Sequence, residues 1–247
     1  MSVRRGIFVA PFEELSEPRL MAELAARAEA RGWDGFFVWD HVAYREPVRA
    51  LADPWVTLAA IATATERLTI GPLVTPLPRR RPHQLARETV TLDRLSGGRL
   101  VLGVGIGSEA TGEFDPERFG EEPDMRARAV LLDDGLERLT AYWDGEFEPR
   151  PVNGRIPVWV AARWPNRRPL KRAARWDGLF PIDLPGPEAL AEMVAELGRR
   201  PDRYDVVAEA PPGTDRDPWI EAGATWLLTS FDIQPTEAEV RAAIEAG

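Results

Sequence analysis

The sequence predicts an α/β protein, a closed (β/α)8 (TIM) barrel in a single domain spanning residues 1–247, and three observations carry that expectation. The chain is 247 residues long, close to the roughly 250 that one such barrel needs. Short apolar runs suited to buried strands alternate with amphipathic helical runs about every 30 residues, eight times over. Such alternation calls for parallel strands joined by right-handed crossovers, and eight units favour closure over an open sheet.

Residues 3–10 form the first strand. Ser16 then caps a helix that carries Leu20, Leu24 and Ala28 on one stripe and stops at Arg31-Gly32. The second strand, residues 35–39, delivers Asp40 and His41 at its C-terminal end. Asp53-Pro54 opens the next helix, with the Asp as N-cap and Leu58, Ile61 and Ala62 turned inward. The third strand covers residues 68–74 and is interrupted by Gly71-Pro72; the following Thr75-Pro76-Leu77-Pro78 is too proline-rich to continue a ladder. Pro82 starts the third helix and Ser96-Gly97-Gly98 ends it.

The fourth strand, within residues 100–107, has a distinctive alternation. Gly103, Gly105 and Gly107 share one face, and Leu100, Leu102, Val104 and Ile106 share the other. A face of glycines packs nothing, so it either lets a ligand or another backbone come close or relieves crowding inside a small barrel. Residues 108–124 are acidic, contain Gly112, Pro116, Gly120 and Pro123, and show no period; they read as an enlarged loop over one barrel end. A long helix follows over residues 125–143, with Val130, Leu131, Leu136, Leu139 and Tyr142 as its inward positions. The remaining strands fall at residues 156–160, 178–182, 204–208 and 225–228. Helices at 169–175, 187–197, 218–222 and 237–245 alternate with them.

The formal net charge of −9 disfavours non-specific binding to nucleic acid or anionic membranes, since both need a basic surface. The absence of cysteine removes disulfides, thiolate metal sites and cysteine nucleophiles together. No leader-like segment or 18-residue apolar run occurs, so a cytoplasmic protein is expected. With two histidines, His41 and His83, and one lysine, Lys171, histidine-rich metal centres and Schiff-base chemistry are poorly supported.

Groups that act on substrate in such barrels come from the C-terminal ends of strands. That rule collects Asp40 and His41; Leu73, Val74 and Thr75; Gly105, Ile106, Gly107 and Ser108; Ala161, Ala162 and Arg163; and Asp183. His41 is the leading acid/base candidate, because imidazole exchanges protons near neutral pH. The alternative is that Asp40 and His41 only tie the barrel rim together. The run Arg79-Arg80-Arg81 suits a phosphate or polyanionic tail, or else a solvated loop. Trp39, Trp55, Trp164 and Trp176 are candidates for lining the mouth.

Taken together, FFVWDHV (36–42), IGPLVTPLPRRRPHQLARETVTLDRLSGGRLVLGVGIGS (70–108), IPVWVAAR (156–163) and RAARWDGLFP (172–181) resemble the luciferase-like family of flavin- and deazaflavin-dependent oxidoreductases. The resemblance implies a (β/α)8 barrel that binds FMN or the deazaflavin coenzyme F420 at its C-terminal mouth and passes hydride through the ring, in an oxidoreductase or monooxygenase reaction. It places a non-proline cis peptide at Leu73-Val74, bulging against the ring, and a polar group facing ring or substrate at Asp40 and His41. The cofactor phosphate would lie after the fifth strand, where this chain has Ala161-Ala162-Arg163 in place of the frequent paired glycines and Arg163 is positioned to compensate. A small organic substrate, NAD(P)H as a reductant, a homodimer and a mobile lid at 108–124 are further expectations. Two other classes stay open from the residues alone: a barrel that binds flavin without turnover, and a metal-dependent barrel hydrolase.

Overall fold

The computed structural model describes residues 3–247. In chain order the elements are β1 (Arg4–Val9), α1 (Pro18–Ala30), β2 (Gly35–Val38), α2 (Pro54–Ala64), β3 (Thr69–Pro72), β4 (Thr75–Pro76) and α3 (Pro82–Leu95), followed by β5 (Leu102–Gly105), α4 (Pro116–Phe119) and α5 (Met125–Ala141). The second half contains β6 (Val158–Arg163), α6 (Leu170–Ala173), β7 (Gly178–Ile182), α7 (Pro187–Glu196), β8 (Asp205–Ala210), α8 (Asp217–Glu221), β9 (Trp226–Ser230) and α9 (Glu237–Ala246). The strands are parallel and run in the order β3-β2-β1-β9-β8-β7-β6-β5-β4. Successive pieces of one stave, β3 and β4 are separated at Leu73-Val74, whose peptide bond is cis. The first piece pairs with β2 and the second with β5. A parallel bridge between Ile70 and Leu100 joins the two ends, with Ile70 N–H donating to the Arg99 carbonyl at 3.1 Å and Val101 N–H to the Ile70 carbonyl at 2.9 Å. The result is a nearly closed barrel of eight staves, as the alternation requires.

One expectation fails at this stave. Thr75-Pro76 does not leave the ladder but pairs with Val104-Gly105. Proline removes only a donor, and the break at Leu73-Val74 lets the chain re-enter the sheet against a new neighbour.

Side chains alternate between two cores, as strand geometry demands. Ile7, Val9, Phe36, Val38, Leu102, Val104, Val158 and Val160 pack outward beneath the helices. Phe8, Phe37, Leu73, Val101, Trp159, Phe180, Val207, Trp226 and Leu228 fill the barrel. Large inner rings fit because small residues face them: a Cβ at Gly178 would lie 2.5 Å from the Trp159 ring. At the closing bridge the constraint is stricter, since a Cβ at Gly71 would lie 2.0 Å from the Val101 carbonyl oxygen, a backbone atom that cannot step aside. Gly71→Ala should therefore destabilise the fold by about 1–3 kcal/mol, as overpacking does; a urea midpoint equal to that of the parent chain would refute this account of the seam.

The helices differ from expectation in two places. Ser16 does not cap α1; its hydroxyl donates to the Glu13 carbonyl at 2.6 Å and closes a 3-10 turn, while α1 begins at Pro18. The inward stripe of α5 is Arg128, Leu132, Gly135, Leu136 and Leu139, leaving Val130 58% and Leu131 42% exposed. An arginine on the inward stripe breaks the apolar pattern from which the phase was read. Asp53 caps α2 as expected, accepting from Val56 N–H at 2.9 Å. The enlarged loop is partly ordered into a 3-10 turn, Glu109–Thr111, and α4. Among the described residues no helix is long and apolar enough to cross a membrane. Strands β6, β8 and β9 run further toward the C-terminal end than predicted, which sets Ala161, Arg163, Glu209 and Ser230 in the sheet itself.

Candidate active site at the mouth of the barrel

Above the inner core, at the C-terminal ends of the strands, half-buried Trp39, Val74, Ala161 and Ile182 form the last layer before solvent. The glycines of β5 divide between the two readings left open above. A Cβ at Gly103 would meet the Leu73 side chain and the Pro72 carbonyl, both at 2.5 Å, so this glycine makes room for the split stave. Gly107 lies beyond the strand with φ 77°, and a Cβ there would sit 2.1 Å from the Phe114 ring. Gly105 alone stays on the floor of the mouth, its Cβ position 2.9 Å from Val74 and 3.5 Å from Ala161. The floor of the mouth is thus built by Val74, Ala161 and one glycine, not by a bare face of three. Ile106 packs outward with Leu102 and Val104, and Leu73 is buried in the inner core.

His41 stands at this rim with a partner the sequence did not reveal. Its Nδ1 is 2.7 Å from Oε2 of Glu113, which lies in the enlarged loop and is completely buried. A carboxylate only accepts, so Nδ1 carries a proton, and in the neutral imidazole Nε2 then presents its lone pair. Glu113 is held in turn by Val42 N–H at 2.6 Å and the Thr111 hydroxyl at 3.0 Å, with the Arg79 guanidinium 3.6 Å away. Burial would push the Glu113 carboxyl up, but His41, Arg79 and the Val42 amide together hold it below the ordinary carboxylate range. Phe12, Trp39 and Tyr44 surround the imidazole, with ring centroids 5.9, 5.7 and 5.0 Å away. These contacts fix the ring's orientation, and among the described residues Nε2 has no hydrogen-bond partner.

Asp40 has a different position from the one expected of a group facing ring or substrate. It is 1% exposed, and its carboxylate accepts from Thr75 at 2.8 Å, Trp55 at 3.2 Å, Arg79 at 3.0 Å and Arg80 at 2.9 Å. Burial raises such a carboxyl, yet Arg80, Arg79 and the Thr75 hydroxyl outweigh it and hold Asp40 below its usual range. The same bonds occupy Arg79 and Arg80, so two members of the arginine run are internal ion-pair partners, not receptors for a polyanionic tail. Thr75 is sealed in this network. Trp55 belongs to it as well; Trp164 and Trp176 pack with the helical layer, and only Trp39 reaches the mouth.

On the far side, Arg163 and Asp183 form an ion pair in which both side chains are more than half exposed. Ala162 packs beneath the helices. Ser108 caps the 3-10 turn, its oxygen accepting from Ala110 N–H at 3.3 Å. A cavity of about 360 Å3 opens beside the aromatic box, lined by Tyr44, Arg45, Glu46, Pro47, Asp232, Ile233 and Gln234. Sequence reasoning also missed Glu209, on the inner face of β8; a glutamate inside the buried run VVAEA was the available signal.

Comparison with known proteins agrees with this architecture. A model of the family described as luciferase-like monooxygenase matches residues 4–225. An F420-dependent glucose-6-phosphate dehydrogenase of Nocardia farcinica is 31% identical over 227 residues, a match covering 81% of this chain and 66% of that protein, so the chain spans just under two thirds of its length. Among solved structures, the coenzyme F420-dependent tetrahydromethanopterin reductase of Methanopyrus kandleri superposes with a TM-score of 0.74 at 19% identity, covering 99% of this chain and 97% of that one. The oxygenating constituent of 3,6-diketocamphane monooxygenase from Pseudomonas putida, in complex with FMN, gives a TM-score of 0.64 at 19% identity over 85% of this chain and 68% of that one.

Proposed function

Because the chain belongs to the luciferase-like monooxygenase family, we propose that it is an F420-dependent oxidoreductase in which His41, oriented by Glu113, exchanges a proton with an alcohol or ketone at the barrel mouth. The observation that carries this reading is the 2.7 Å contact between His41 Nδ1 and a buried carboxylate, which leaves Nε2 free to accept a proton. No other hydrogen bond of the imidazole is formed among the described residues. The floor made by Val74, Gly105 and Ala161 suits a flat ring, being apolar, with Val74 and Ala161 half-buried and Gly105 buried between them. A deazaflavin held over this floor would supply hydride acceptance and donation. In alcohol oxidation His41 Nε2 would take the proton that the substrate hydroxyl gives up as its C–O bond becomes a carbonyl. His41 therefore balances the proton, and Glu113 stabilises the imidazolium that forms.

The F420 preference is supported by the named activity of the Nocardia relative. The test is a fluorescence titration with F420 and, in parallel, with FMN. It is followed by measurement of alcohol-dependent F420 reduction. Tight binding of F420 and turnover are expected; binding of FMN alone would shift the reading to a flavin enzyme, F420 binding without turnover to a ligand-binding barrel, and neither binding would refute it.

A further inference from the structure

The side chains of β8 are assigned to faces by their packing. Val206, Ala208 and Ala210 pack outward with Trp219 and Leu227, whereas Val207 joins the inner core with Phe180 and Leu228. Glu209 therefore points inward, one step nearer the mouth than Val207. Around the barrel β8 is four staves from the split β3/β4 stave in either direction, so Glu209 stands across the mouth from the Leu73-Val74 bulge. Among the described residues it forms no ion pair with a cation, and the nearby Arg163 is already engaged with Asp183. We propose that Glu209 sets the substrate class of this mouth: it admits an uncharged alcohol or ketone to the space facing Val74 and turns away phosphorylated substrates. The inference rests on the function proposed above and narrows it.

Three features support it. A half-buried carboxyl facing the barrel interior repels a phosphate dianion when ionised and donates a hydrogen bond to a neutral oxygen when protonated. The charged groups acting on it are Asp183 at the end of β7 and Arg163 at the end of β6, and those two offset each other; its neighbours on β9, Leu228 and Ser230, carry no charge. The chain's single lysine, Lys171, lies in α6 under the barrel wall and offers no counter-charge at the mouth. Burial, reinforced by Asp183, pushes the Glu209 carboxyl up to about 7. Between the ordinary glutamate range and that value the folded chain keeps a proton that the unfolded chain releases, so stability falls as pH rises through this window.

The decisive experiment titrates glucose 6-phosphate by calorimetry into F420-loaded protein at pH 8, for the parent chain, Glu209→Gln and Glu209→Lys. Affinity is expected to rise about tenfold or more from the parent to Glu209→Lys, with Glu209→Gln between them; kcat/KM for cyclohexanol should fall in both variants. Equal affinity across the three, or tightest binding by the parent, overturns the proposal. F420 binding is followed separately by fluorescence, so its failure counts against the proposed function alone, and the same ordering is then expected with the cofactor-free chain. An independent readout is Tm: Glu209→Gln should melt above the parent at pH 8 and with it at pH 4. A Tm difference that does not change with pH contradicts a carboxyl confined by the barrel.

Discussion

Replacing His41 with alanine is expected to lower kcat for alcohol oxidation by about 10²- to 10⁴-fold, the usual contribution of a positioned acid/base group, while F420 affinity changes little. The reason is geometric. Glu113 holds Nδ1 and an aromatic box holds the ring plane, so Nε2 is presented in one orientation; alanine removes the proton acceptor without touching the floor formed by Val74, Gly105 and Ala161. Added imidazole should restore part of the rate in the variant. Glu113→Gln tests the other half of the pair. It keeps the shape but removes the charge that stabilises an imidazolium, so kcat should fall and KM stay close to that of the parent. Parental turnover in His41→Ala would remove this residue from the chemistry.

Asp40→Ala is expected to cost about 3–5 kcal/mol of stability, because deleting the central carboxylate of a buried ion cluster takes the closest counter-charge from two largely buried guanidinium groups. Arg79 and Arg80 have side chains only 4% and 18% exposed, and Asp40 is the nearest carboxylate to each, at 3.0 and 2.9 Å, against 3.6 Å from Arg79 to Glu113 and 3.9 Å from Arg80 to Glu88. The effect should appear as a lowered urea midpoint at pH 7. Asp40 and Glu113 are both held below their ordinary range, so the stability they contribute is present above about pH 4 and is lost as pH falls through their folded values. Acid unfolding of the parent chain should accordingly be steep below that range. An Asp40→Ala midpoint within the error of the parent would show that the cluster is a bystander.

Much of the fold was legible because the barrel repeats one unit. Apolar runs, Asp53-Pro54, Pro82 and Ser96-Gly97-Gly98 marked strand and helix limits through local chemistry alone, and resemblance to the luciferase-like family placed the cis peptide at Leu73-Val74 where it is found. What sequence could not give was the third dimension of the charges. Asp40 and His41 are neighbours in the chain, yet one is sealed among arginines and the other faces the mouth, since successive residues past a strand end turn to different sides. Arg79 and Arg80 read as surface cations because an arginine run usually is one; their partner lies some forty positions earlier. Glu113 was hidden in an acidic stretch with no period to single it out. Arg128 hid the phase of α5 for a related reason: its guanidinium lies over the Phe114 ring, 4.0 Å from the centroid, so a charged residue fills an inward position normally taken by an apolar one.

If the mouth formed by Val74, Gly105 and Ala161 receives a flat ring with His41 beside it, a crystal structure of the chain with F420 bound should show the deazaflavin ring in van der Waals contact with Val74 and Gly105 and His41 Nε2 directed at the space above the hydride-bearing carbon. A ring bound elsewhere, or Nε2 turned away from that space, would refute the proposed function.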